Sequence, residues 1–119
     1  MKETILSIAK WHEETFTEAT YDGQRAKFWE ELQEFDTAKS YRDMVEELAD
    51  MFIVACGIIR FDTVEAMAQI ACVRERGNAK MILWADFETI VDVKMEKNRK
   101  RVWNKTGNGT YHHENGIED

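Results

Sequence analysis

The chain has 119 residues and a formal net charge of −7, from 23 Asp and Glu against 16 Lys and Arg. One domain of this length buries roughly two thirds of the surface its unfolded chain exposes, and an acidic balance without a broad basic stripe excludes a binder of nucleic-acid backbone. Cys56 and Cys72 stand inside apolar runs rather than in a Cys-x-x-Cys pair, so they read as reduced core thiols of a cytoplasmic protein. The opening MKETILSIAKWHEE is too charged for a signal peptide, and no run of about 18 apolar residues is present to cross a membrane.

The sequence lacks proline and reads as an all-α bundle of four to five helices. Residues 4–19 predict a first helix with Ile5, Ile8, Trp11 and Phe16 toward one side. Tyr21, Asp22 and Gly23 punctuate, and a second helix over about 24–37 buries Phe28, Trp29, Leu32 and Phe35. Ser40 is an N-cap, with Asp43 three residues later, for a third helix reaching about Arg60. Asp62 followed by Glu65 repeats that signal for a fourth helix over 63–76, ending near Gly77 and Asn78. A last helix runs over about 80–103, which closes a single helical domain. The Gly- and Asn-rich stretch 104–119 reads as an irregular tail.

The third helix carries an uninterrupted apolar run, MFIVACGII, from Met51 to Ile59. A helix apolar on every side must be covered on every side. The expectation is an oligomeric core, a homodimer or homotetramer built around this segment.

Two acidic clusters interrupt these apolar patterns. FWEELQEF carries Glu30, Glu31 and Glu34, and MVEELADMF carries Glu46, Glu47 and Asp50. Residues three apart on a helix lie about 60° apart in projection and share a face. Glu31 with Glu34, and Glu47 with Asp50, therefore aim at one point between two antiparallel helices. Each pair alone is explained as the solvated stripe of an amphipathic helix. Jointly, like charges on one face repel, no Lys or Arg stands at the matching positions, and Asp50 is walled by Ala49, Met51 and Phe52. A buried carboxylate needs a partner, and a cation is the expected one. The donors are all oxygen, which favours magnesium or manganese over zinc or copper. The Glu-x-x-His pairs of a diiron bundle are missing. Magnesium usually engages substrate phosphates, so the expected substrate carries at least a diphosphate. Lys94, Asn98 and Arg101 follow one helical face near the C-terminus, widened by Lys97, Arg99 and Lys100. They either hold phosphate or complement the helix dipole.

These motifs resemble the MazG-like, all-alpha nucleoside triphosphate pyrophosphohydrolases, whose signature is Glu-Glu-x-x-Glu, a variable gap, then Glu-x-x-Asp. The elements here are Glu30, Glu31 and Glu34, then Glu47 and Asp50, with KMEKNRKRVW similar to the family's phosphate-binding helix. The resemblance spans roughly residues 25–103. It implies magnesium-dependent hydrolysis of a nucleoside triphosphate, foremost a deoxynucleoside triphosphate, between the alpha and beta phosphates. It also implies assembly as a dimer or tetramer, in bacteria or their phages. On that resemblance Glu31, Glu34, Glu47 and Asp50 hold the metal, and Glu30 or Glu46 orients or deprotonates the attacking water. Lys94, Lys97 and Arg101 stabilise the leaving pyrophosphate, Asn98 donates to an oxygen, and Trp11 and Trp29 are the foremost aromatics for the base. Phosphoribosyl-ATP pyrophosphohydrolases and dimeric dUTPases resemble the same pattern. A catalytically silent helical interaction module is the alternative from another class.

Overall fold

A computed structural model of the chain describes residues 1–105 and 111–113. In chain order it forms α1 (Ile5–Thr15), α2 (Tyr21–Thr37), α3 (Tyr41–Ile58), α4 (Thr63–Ala79), α5 (Trp84–Lys100), β1 (Trp103–Lys105) and β2 (Tyr111–His113). The architecture is an all-α bundle of five helices, with α3 as its axis: α1, α2, α4 and α5 all pack on α3. None of these helices is long and apolar enough to cross a membrane.

The central place of α3 changes what its apolar run means. Met51, Ala55, Cys56 and Ile58 have no exposed surface, and Phe52 and Ile53 have 6% each. Neighbours from the same chain supply that cover, because four other helices pack around α3 and enclose this run. The expected oligomeric core is therefore not required by this segment.

Local chemistry sets the helix ends. Thr4 and Ser7 form a reciprocal capping box at the start of α1. That helix stops at Thr15 rather than near 19, because Arg60, just past α3, donates to the carbonyls of Phe16 (2.6 Å) and Glu13 (3.4 Å). Tyr21, Asp22 and Gly23, expected as a break, are the first turn of α2: the Thr20 hydroxyl accepts from the Gly23 N–H, and Asp22 suits the positive helix end. Ser40 and Asp62 cap α3 and α4 as expected, accepting from the N–H groups of Asp43 and Glu65. Helix α5 begins at Trp84, not near 80. Its first turn is capped from α3 by Tyr41, whose hydroxyl accepts from the Leu83 N–H and donates to Asp86. The tail expected to be irregular holds an antiparallel pairing in its described part, Trp103 opposite His113 and Lys105 opposite Tyr111. A Gly-Asn-Gly run between two short segments is a hairpin signal. Residues 106–110 and 114–119 of the expected tail lie outside the described residues.

Two glycines serve close packing rather than helix termination. Gly77, expected near the end of α4, lies buried inside it, and a Cβ there would stand 2.9 Å from Leu48 of α3. The left-handed residue of the following turn is Met81, at φ 58°. A Cβ on Gly57 would meet Cδ2 of His12 at 2.6 Å. His12 is 3% exposed and packs edge-on against Phe16, and neither ring nitrogen has a hydrogen-bond partner. Burial, then the Arg60 charge, pushes its pKa down to about 4, against a smaller pull from Gln24.

Two outcomes are expected. Gly57→Ala should lower stability by about 1–3 kcal/mol through overpacking, read as a shift in denaturant midpoint, and His12→Ala in the same chain should recover part of it. The His12 imidazole stays neutral in the fold, whereas the unfolded chain protonates it from pH 6.5 downward. Its contribution is therefore complete above 6.5 and is lost as pH falls toward 4. The loss is on the order of 3 kcal/mol; a His12→Phe variant should show a shallower acid limb in urea titrations.

Candidate metal centre

Helices α2 and α3 are antiparallel neighbours across the short link 38–40, which brings their acidic clusters face to face. Carboxylate oxygens of Glu31, Glu47 and Asp50 all lie within 4.8 Å of one another. A second group at the same separation contains Glu30, Glu31 and Glu34. Glu31 is the shared corner and the deepest member, 6% exposed; Glu47 and Asp50 are half-buried, and Glu30 and Glu34 face solvent. Of the four ligands expected from the motif, three converge in the α2–α3 group. Glu34 stands in the solvent-facing group instead, still close enough to interact with Glu47.

The expectation that no basic residue matches these acids is corrected by the geometry. Lys27 Nζ lies 3.4 Å from Glu31 and 3.6 Å from Glu30, Lys94 Nζ lies 3.3 Å from Asp50, and Arg42 lies 3.6 Å from Glu46. Lys27 was legible in principle, because it precedes Glu30 and Glu31 by three and four positions and shares their face. Lys94 arrives from α5, and no local spacing announces that contact.

These cations do not satisfy the site. Oε2 of Glu31 and Oε2 of Glu47 are buried with no hydrogen-bond partner. Burial, reinforced by the Asp50 charge, pushes Glu31 up to about 7. Burial also pushes Glu47 up to about 9, helped by its carboxyl neighbours Glu34, Asp50 and Glu31. Two carboxylates cannot hydrogen-bond to each other, so contacts of Glu47 with Glu34 and Glu31 become favourable only through a shared proton. Asp50 is also raised by burial, although Lys94 pulls the other way. On Lys27, burial acts to lower the pKa, but the charges of Glu31 and Glu30 outweigh it and hold the ammonium above its ordinary value. The donor set is hard oxygen throughout, and two buried oxygens point at no donor. That combination could hold magnesium or manganese, which would take the place of a shared proton.

The other sequence-predicted residues divide. Asn98 is buried beyond Lys94 on α5; its Oδ1 accepts from Arg101 at 3.0 Å, and its main-chain oxygen accepts from the Trp103 indole at 3.1 Å. Lys97 is exposed, Arg99 is engaged by Glu3, and Lys100 pairs with Glu96. Glu46 is turned to Arg42, outside both acidic groups. Trp11, expected to touch a base, is 7% exposed and packs edge-on against Phe16 and Trp103 in the core. Trp29, expected to be buried, is 55% exposed, because the core side of α2 is filled by Phe28, Leu32 and Phe35.

Comparison with protein-family models, with curated proteins and with solved structures finds no match to this chain. The likeness to the MazG-like enzymes therefore rests on the motif residues themselves.

With no cation bound, Glu31 and Glu47 keep protons in the fold at pH values where the unfolded chain has lost them above 4.5. Their contribution to stability is complete below 4.5 and is lost as pH rises through about 7 and about 9. Thermal melts in chelator should therefore decline from about pH 6 to about pH 9, and added magnesium or manganese should remove most of the decline. Calorimetric titration with either metal near neutral pH, in buffers of different ionisation enthalpy, should register net proton release.

Proposed function

We propose that this chain is a divalent-cation-dependent pyrophosphohydrolase of the MazG-like kind, cleaving a nucleoside triphosphate between the alpha and beta phosphates. A deoxynucleoside triphosphate is the foremost substrate; nucleoside monophosphate and pyrophosphate are the products. The observation that carries this reading is the convergence of Glu31, Glu47 and Asp50, with two buried oxygens left without donors. A cage for a protein-only role gains little from such oxygens, since burying unpaired acids is costly.

A bound magnesium or manganese would be held by Glu31, Glu47 and Asp50, with Glu34 at the rim, and would neutralise charge on the triphosphate as the bond breaks. The chain's own residues do the rest. Glu30 and Glu34, on the solvent-facing side, orient or deprotonate the attacking water; Glu46 is held away by Arg42. Lys94 stands 3.3 Å from Asp50 and offers its ammonium to a phosphate brought to that acid. Asn98, buried one turn beyond Lys94, holds Arg101 just past the end of α5, and Arg101 with the exposed Lys97 would stabilise the leaving pyrophosphate. Assembly as a homodimer or homotetramer, and a cytoplasmic location, belong to the same proposal through the motif resemblance alone.

The second reading, a silent helical module, is favoured by one observation: Lys27, Lys94 and Arg42 already pair four of the acids, Glu30, Glu31, Asp50 and Glu46. A panel of nucleoside triphosphates, phosphoribosyl-ATP and dUTP assayed for cation-dependent pyrophosphate release separates the two and names the base. Glu47→Gln should reduce turnover by at least about a hundredfold, while its metal-free melting temperature at pH 8 stays equal to or above that of the unaltered chain. Pyrophosphate release that survives Glu47→Gln, or its absence with every nucleotide, argues for the silent module.

A further inference from the structure

Lys27 has no role in the motif, yet its charge is felt at Glu31 and Asp50, two of the three converging carboxylates. Its Nζ lies 3.4 Å from Glu31 and 3.6 Å from Glu30, and its field reaches Asp50 and Glu34. Its side chain is 25% exposed, while that of Lys94 is 12% exposed. Lys94 is committed to Asp50 by a hydrogen bond, whereas Lys27 is shared between the buried Glu31 and the exposed Glu30. The five carboxylates of the two acidic groups thus face two ammonium groups, and one buried oxygen of Glu31 still has no partner. The protein's own positive charge falls short of balance. A divalent cation narrows that shortfall and competes with Lys27 for Glu31.

We propose that Lys27 is a displaceable counter-ion: it holds Glu31 while no divalent cation is bound, yields that carboxylate when one enters, and turns its ammonium to the substrate's polyphosphate. This rests on the metal-site reading above. A flexible four-carbon stem with a compact charge suits the exchange, because one side chain serves a carboxylate and then a phosphate. Lys27 is a positioning residue toward the metal and a contact toward the phosphate. The exchange couples the two binding events: the cation frees the ammonium, and the polyphosphate gives it a new partner. A cage with no built-in counter-ion would bind metal more tightly and respond less to substrate.

The test begins with the metal alone. Manganese binding to the full chain, followed by calorimetry or electron paramagnetic resonance, should be about tenfold tighter in Lys27→Met than in the unaltered protein, since a competing unit charge is removed. Lys27→Arg should stay close to the unaltered value. With magnesium and a non-hydrolysable triphosphate analogue the order should invert, Lys27→Met binding the analogue about tenfold more weakly. A merely structural lysine would leave metal affinity equal or reduce it, and either result overturns the proposal. If Lys27→Met fails to fold, the Lys27 side-chain NMR signal of the unaltered protein decides: it must shift on magnesium addition and again on analogue addition, and a signal that stays put overturns the exchange. Unaltered protein that binds neither manganese nor magnesium sinks the metal-site reading and this inference together. Binding by the unaltered protein with no gain in Lys27→Met sinks this inference alone.

Discussion

Carboxylates crowded into the crossing of α2 and α3, with too little positive charge to match them, are the constraint around which the rest of the structure is arranged. Glu31 lies in the apolar stripe of α2, between Phe28, Leu32 and Phe35, and Asp50 follows the fully buried Ala49 on α3. Burial of that kind favours the neutral form of each acid and raises its proton affinity. The repulsion can be relieved by protons, by ammonium groups or by a metal, and the fold already employs the first two. Lys27 and Lys94 reach in from two different helices. What they leave over is the buried Oε2 of Glu31 and of Glu47, crowded carboxyl oxygens that either a shared proton or a divalent cation would relieve.

The cage keeps its shape because α3 is clamped from every side. Small residues let neighbours approach closely at two points, Gly57 against His12 of α1 and Gly77 of α4 against Leu48. Each contact removes the freedom of α3 to turn about its axis, and such a turn would carry Glu47 and Asp50 away from Glu31. The neutral, unpartnered His12 is the cost of one clamp, since an imidazole buried among Trp11, Phe16 and Gly57 forgoes its hydrogen bonds. Stability of the bundle and precision of the acidic site are therefore the same property at the level of packing.

The features legible in the sequence were those written in local chemistry. Ser40 and Asp62 announced their helices because capping depends on a residue and its N–H three positions on. The paired acids announced a shared site because helical periodicity fixes which residues share a face. Features that depend on distant partners stayed hidden. Arg60 ends α1 and Tyr41 starts α5 across 44 and 42 positions of sequence. Lys94 pairs with Asp50 across 44 positions. The apolar run of α3 is ambiguous for a related reason: it reveals that cover is needed, but not whether it comes from the same chain. Helical spacing puts Trp11 with Ile8 and Phe16, and it is buried there behind Trp103, whereas the core side of α2 goes to Phe28 and leaves Trp29 exposed.

For the proposed nucleotide substrate, the two ends would be specified to different degrees. At the phosphate end, the converging acids and their unpaired buried oxygens favour a divalent cation. At the base end, the aromatic side chains most suited to stacking are largely consumed: Trp11 and Phe16 close the α1 core, Tyr41 caps α5, and Trp84 packs edge-on against Phe87. Trp29 remains exposed on α2, directly before Glu30 and two positions before the deepest carboxylate. An indole beside the acidic rim has an apolar face for a base and no acceptor to read its edge. Recognition through Trp29 alone would thus sort nucleotides by stacking rather than by hydrogen-bond pattern. Sharper discrimination has to come from polar groups brought alongside it, and stringent base choice is the property least rooted in the helices that build the cage.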